Sequence, residues 1–225
     1  MAIDFERPHY IVNQFQNNLQ NTQVGLAILD TRGLASRSQI KTFNFITGEN
    51  TYFEESAPAS HWATAERIPV KNMLSKINNC LRMYQDRSIV LVGHGMSGDL
   101  AALNALRFDF VNTPFIAKMD TCLLARDLHM GQLKLKNLLE KLDCPCNFRL
   151  HNAANDANYT LRALLLLGIK AIGELENREM FKTLEKLWWI AKGGLLSKMQ
   201  RKYWRRKIAK TLTLEEQEEV REQRR

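Results

Sequence analysis

The sequence predicts an α/β protein built on a mixed sheet with helices on its faces, and three observations predict it. Val24 to Leu29 and Ser88 to Val92 are short, nearly continuous apolar runs that each stop at a turn, the profile of strands buried on both faces. Pro114 to Asp120 reads as a further strand with an acid at its end. Between and beyond these runs, apolar residues recur at helical spacing, as in Met73, Leu74, Ile77, Leu81 and Tyr84.

Taken in order, residues 1 to 20 are polar and rich in Asn and Gln, with Tyr10, Ile11, Val12 and Phe15 as their apolar cluster, and read as a short, partly helical lead-in. The strand Val24 to Leu29 ends at Asp30-Thr31-Arg32-Gly33. Ile40 to Thr47 alternates, and Gly48-Glu49-Asn50 separates it from Thr51-Tyr52-Phe53, which predicts an antiparallel hairpin. Pro69 opens the helix carrying Met73 to Tyr84. After the strand at 88–92 comes Gly93-His94-Gly95-Met96-Ser97-Gly98-Asp99, a tight turn in which Ser97 serves as N-cap of the next helix and Asp99 lies in its first turn. Leu133 to Leu142 predicts a helix stopped near Pro145, and Asn152 to Ile169 a strongly apolar helix with Asp156 at its start.

Beyond Gly173 the character changes to long polar helices, at 174–190, at 195–209 and from Thr213, where Thr213 and Glu216 have capping-box spacing. The chain therefore divides into an α/β domain at 1–172 and a helical extension at 173–225. Of the formal charge of +8, nearly all is local: Lys198, Arg201, Lys202, Arg205, Arg206, Lys207 and Lys210 are interrupted by no acid. Such a segment suits phosphates, with Trp188, Trp189, Tyr203 and Trp204 nearby as stacking or docking groups. No apolar stretch is long enough to span a bilayer, which excludes a transmembrane class. The early acids argue against a secretory signal, and four scattered cysteines suit reduced thiols in the cytoplasm or nucleus.

The glycine turn admits three chemistries. Gly93, Gly95 and Gly98 satisfy G-x-G-x-x-G, but a strand-hairpin-helix module precedes them where a dinucleotide fold would begin. A hydrolase elbow needs serine where Gly95 stands. The third reading joins Asp30, Asp99 and Asp156, acids on three separate elements, with His151 five residues before the last. Carboxylates converging from several elements, plus a base to activate water, are what a two-metal nuclease requires.

Ile28-Leu29-Asp30-Thr31-Arg32, Val90 to Leu100, Met119-Asp120-Thr121 and above all Leu150-His151-Asn152-Ala153-Ala154-Asn155-Asp156-Ala157 resemble the successive motifs of the DEDDh 3′-to-5′ exonuclease superfamily, most closely a fungal subgroup of exonuclease-like domains. The resemblance implies a ribonuclease H-like fold, with Asp30, Asp99 and Asp156 as metal ligands and His151 as general base. Mg²⁺ or Mn²⁺ would be the cofactor. The family's first motif is Asp-x-Glu, and this alignment puts Arg32 at its second acid. An arginine cannot ligate a cation, so the expected function is nucleic-acid binding by a degenerate site that cuts weakly or not at all, Arg32 gripping phosphate. Glu49, Glu54 or Glu55 could supply the missing ligand. Arg201, Lys202, Arg205, Arg206 and Lys207 are the remaining candidate contacts to RNA or DNA, expected to be single-stranded. Two alternatives remain open: an active metal-dependent exonuclease, and a protein-interaction module in an RNA-processing assembly, with the C-terminal helices as the partner surface.

Overall fold

The computed structural model describes residues 1–13, 21–32, 34, 39–173 and 181–192. The first strand is β1 (Ala2–Glu6), inside the stretch expected to be a lead-in. Period-2 alternation explains it: Ile3 and Phe5 bury on one face of the sheet, which leaves Asp4 and Glu6 on the other. β1 pairs antiparallel with β2 (Gln23–Ile28), from Ala2 opposite Ala27 to Glu6 opposite Gln23. β2 pairs antiparallel with β3 (Lys41–Ile46), and β3 pairs parallel with the short β4 (Ala65–Arg67). On the other side of β1 come β5 (Ile89–Gly93) and β6 (Phe115–Asp120), both parallel, giving the order β4-β3-β2-β1-β5-β6.

The hairpin expected between residues 40 and 53 is corrected. Thr51, Tyr52 and Phe53 belong to a helix (Asn50–Ser56), because Tyr52 buries from one side of a turn whose neighbours Thr51 and Glu54 are exposed. β3 finds its antiparallel partner in β2 instead. The helix expected at Pro69 begins as a single 3₁₀ turn (Val70–Asn72) before Met73–Arg82 continues as α-helix. Ser97 is the first residue of the helix Ser97–Ala105 rather than its cap, and its side chain makes no capping bond.

The two faces of the sheet are covered differently. Large side chains of β1 and β2, Ile3, Phe5, Val24, Leu26 and Ile28, meet Met73–Arg82 and Ser97–Ala105. The opposite face is lined by small residues, Ala2 and Ala27, against Ala157 and Leu161 of the long helix Ala153–Gly173. Gly25 is required there, since a Cβ at that position would stand 2.0 Å from the carbonyl oxygen of Ala153. The outer side of the same helix, through Tyr159, Ala163, Leu166 and Leu167, packs against Thr121–Asp127, Leu135–Lys141 and Phe181–Lys192. Trp188 and Ala191 fill that contact, so Trp188 docks on the protein's own core. No helix among the described residues is long and apolar enough to cross a membrane. The helices expected at 195–209 and from Thr213, with the basic cluster Arg201 to Lys207, lie outside the described residues.

Candidate active site

The pleat of β1 and its register with β2 set up the site. Asp4 lies opposite Gly25, whose missing side chain lets the first turn of Ala153–Gly173 press onto the sheet. Asp4 and Glu6 therefore face the helix turn that carries Asp156. From the other side, β1 and β5 run parallel and pair at Ala2 and Val92. Farther along β1, the carboxylate of Asp99 accepts from the backbone N–H of Phe5 at 2.8 Å.

The glycine turn makes that approach possible. Gly95 takes a left-handed conformation, φ +67°. Its N–H and that of Met96 both donate to the Asp120 carboxylate, at 2.9 and 3.0 Å, while Asp120 also caps the following helix through the N–H of Cys122. His94 is pinned by Thr121 Oγ1 and the Leu133 carbonyl, both at 2.9 Å. Asp120 thus holds the turn, and Asp99 points at β1.

His151 completes the arrangement. It adopts φ +62°, rare for a residue with a side chain, and its N–H donates to Asp156 Oδ2 at 3.0 Å. That bond turns the ring outward: the side chain is 91% exposed, with Nδ1 3.8 Å from Glu6 Oε1. Glu6, His151 and Asp156 each offer an atom within 4.8 Å of the others, a spacing that can hold a metal ion.

The electrostatics show what this donor set suits. Burial, then the charges of Asp156, Asp99 and Glu6, push the Asp4 carboxyl well above the usual carboxylate range. Burial and Glu6 push Asp156 up to about 8. Burial, together with Asp120 and Glu6, raises Asp99 to about 6 against the lowering effect of the Phe5 N–H. Among the described residues, no basic side chain contributes to any of the three shifts. Asp4 Oδ2 and Asp156 Oδ1 are buried acceptors without a hydrogen-bond partner. Orphaned carboxylate oxygens facing one another fit a hard divalent cation, which prefers oxygen ligands.

Of the acids named from sequence, Asp99 and Asp156 come together with His151, and Asp30 does not. Glu6 is level with Gln23, and the antiparallel pairing carries the far end of β2, Ile28, roughly 17 Å along the strand from it. Asp30 lies beyond that end. Its carboxylate takes two side-chain bonds from Arg32, at 3.2 and 2.8 Å, and has Arg87 at 3.9 Å, so its pKa is lowered, chiefly by the Arg32 bonds. Arg32 is correspondingly no occupant of the acidic cluster and no phosphate ligand within it. The acids that do join Asp99 and Asp156 are Asp4 and Glu6, which sequence reasoning missed, and Glu49, Glu54 and Glu55 are not needed. A signal existed: Ile3-Asp4-Phe5-Glu6 alternates apolar and acidic and contains Asp-x-Glu.

DEDDh exonucleases generally use divalent metal ions, in keeping with this donor set. No curated protein matches the chain. A family model described as DNA polymerase III subunit epsilon-like, C-terminal domain, of the DEDDh type, matches residues 1–167. That match spans the whole sheet and most of the helix bearing Asp156, and the chain belongs to this family, with a DEDDh exonuclease-like domain of ribonuclease H-like fold.

Proposed function

We propose that the chain is a metal-dependent 3′-to-5′ exonuclease acting on unpaired ends of RNA or DNA. One observation carries this reading: four acids, Asp4, Glu6, Asp99 and Asp156, face one another beside an exposed histidine, and no Lys or Arg among the described residues holds down the pKa of Asp4, Asp99 or Asp156. The degenerate-site reading rested on Arg32 standing two residues after a ligand. With Asp4-Phe5-Glu6 in that place, the motif has both of its acids.

Asp4, Glu6, Asp99 and Asp156 would hold Mg²⁺ or Mn²⁺, which when bound neutralises a phosphodiester and lowers the pKa of its water. His151 is the general base. Its ring faces solvent, where an attacking water enters, and the Glu6 carboxylate near Nδ1 steadies the imidazolium formed when the ring accepts a proton. The Asp156 contact to its backbone fixes where the ring points. The basic segment at 198–210 would hold the rest of the strand, its contribution weakening with salt.

The test is a 5′-labelled single-stranded oligonucleotide incubated with purified protein and Mg²⁺ or Mn²⁺. Stepwise shortening from the 3′ end, abolished by chelation, is expected. Tight binding of the oligonucleotide without shortening under either ion would return the protein to the class of strand-end binders.

A further inference from the structure

Arg162, on the helix Ala153–Gly173, is 5% exposed, and no carboxylate among the described residues contributes to its pKa, which burial lowers. A desolvated cation needs another source of negative charge. Two sources supply it. Nη1 donates to the carbonyls of Ile190 and Ala191, at 3.0 and 2.6 Å, in the last turn of the helix Phe181–Lys192, where carbonyl oxygens lack partners within their helix and form the negative end of its dipole. Cζ lies over the Trp62 ring, 4.4 Å from its centre. Nε meanwhile donates to Asn158 Oδ1 at 2.6 Å, and the amide of Asn158 donates to Thr42 Oγ1 on β3 at 2.8 Å.

From Trp62 the contacts run on to the histidine. Trp62 stands edge-on to Phe148, with ring centroids 5.4 Å apart and planes at 86°, and His61 stacks on the same ring at 3.3 Å and 11°. Asn155, fully buried, accepts from the N–H of His61 at 2.9 Å and donates to the carbonyls of Ala59 and Arg149, both at 2.8 Å. Phe148 and Arg149 lie three and two residues before His151, whose own N–H is held by Asp156. The segment that presents His151 is thus gripped at Phe148, at Arg149 and at His151 itself, and the grip on Phe148 leads back through Trp62 to Arg162. The helix at the far end of this chain of contacts, Phe181–Lys192, lies beyond the 1–167 family domain.

We propose that Arg162 is a positioning residue for the general base: by capping the helix Phe181–Lys192 and carrying Trp62, it makes that helix a brace for the segment that presents His151. His151 needs one, because a ring 91% exposed has almost no packing of its own. Loss of the guanidinium leaves two helix-end carbonyls and Asn158 Oδ1 without their donor and uncovers the Trp62 face, so Phe148 loses its backing and the imidazole its fixed distance from the acids. A catalytic group displaced by about an ångström from outside the reacting atoms costs turnover rather than binding. The inference rests on the exonuclease reading for what His151 does.

The experiment sets Arg162→Met, which keeps the bulk and removes the charge and donors, against Leu166→Ala, which opens the same helix contact one turn farther along, both in the full chain. Arg162→Met should lower kcat on a short oligonucleotide by up to about 10²-fold with KM little changed, and Arg162→Lys should recover part of the loss. Leu166→Ala should lower the melting temperature without lowering kcat. In a His151→Ala background Arg162→Met should cost nothing further, because the group it positions is gone. Equal losses in the two backgrounds, or a fall in kcat for Leu166→Ala that matches Arg162→Met, overturns the brace. Should Arg162→Met melt below the assay temperature, Arg162→Lys carries the same comparisons. Hydrogen exchange in the metal-free protein needs no cleavage: amides of residues 148–151 should exchange faster in Arg162→Met than in the wild type or Leu166→Ala. Faster exchange in a protein that cuts no strand supports the brace while sinking the exonuclease reading. Unchanged exchange in an active enzyme overturns the brace and leaves the exonuclease.

Discussion

Asp4-Phe5-Glu6 and Asp30-Thr31-Arg32 each stand at the carboxyl end of a strand, and the two strands are neighbours in one sheet. Because β1 and β2 run antiparallel, those ends lie at opposite ends of the strand pair. At the first, aspartate is buried among acids and its pKa rises. At the second, aspartate is half-buried beside arginines and its pKa falls. Residue type and strand-end position are shared, and the surroundings reverse the sign of the shift. Burial without a counter-charge, rather than an acid after an apolar run, is what marks a cation site.

The comparison breaks most sharply under isosteric substitution. Asp4→Asn and Asp156→Asn should each reduce exonuclease turnover by at least the ~10²- to 10⁴-fold that loss of a general base costs. Both should also raise the melting temperature of the metal-free protein, since each removes a carboxyl that must take up a proton on folding. Activity and thermal melts on the same preparations check this, and a variant that is inactive because it is unfolded would melt lower, not higher. His151→Ala comes next, with a fall of roughly 10²- to 10⁴-fold in kcat and little change in KM, measured on a short oligonucleotide.

The two regions also titrate in opposite directions. Asp99 and Asp156, at about 6 and about 8 against a usual 3.8, keep protons in the folded, metal-free protein that the unfolded chain gives up. The folded state thus binds more protons between those limits, and stability falls as pH rises from about 4 to about 8. Asp30, held below 3.8, works the other way, with stability lost only as pH falls through its lowered value, and the solvent around this partly exposed carboxylate keeps the effect small. Calorimetry without metal should show the melting temperature declining over that window. Mg²⁺ should restore it at pH 8 by binding only the folded state, with a concentration dependence. A melting temperature indifferent to Mg²⁺ at pH 8 would remove the cation from this cluster.

Gly25 offers a smaller effect. Adding one methyl there forces the first turn of Ala153–Gly173 off the sheet, at an expected cost of about 1–3 kcal/mol. Asp156 and His151 ride on that turn, so Gly25→Ala should lower kcat as well as stability, read from denaturant melts and turnover together.

Much of this was legible in the residues. Val24 to Leu29 and Ser88 to Val92 announced the central strands because burial on both faces leaves an unbroken apolar run. His151 and Asp156 were legible because the helix behind them is so apolar. β1 was not, since its two acids lie on the face that meets the long helix and erase the run that a buried strand would show. Asp30 was the wrong partner for a reason no spacing reveals: only the pairing register tells which end of a strand is near which. Asn155 and His61 carried no signal either, as their roles arise from carbonyls and rings about ninety residues apart.

Arg32 gives the smallest expected effect and tests the comparison from its far side. If the sequence alignment through Asp30 were right, Arg32→Glu would rebuild an Asp-x-Glu motif and raise metal-dependent cleavage. The structure instead gives Arg32 to Asp30, with Asp86 at 3.9 Å from it, on an exposed corner shared with Arg87. Reversing its charge there breaks a solvated ion pair and places Glu beside Asp30 and Asp86, which surface screening makes mild. Cleavage rates for Arg32→Glu should therefore match the wild type within error, at every Mg²⁺ concentration. A gain in cleavage, or a new dependence on metal, would mean that this corner and not β1 supplies the site's first acids.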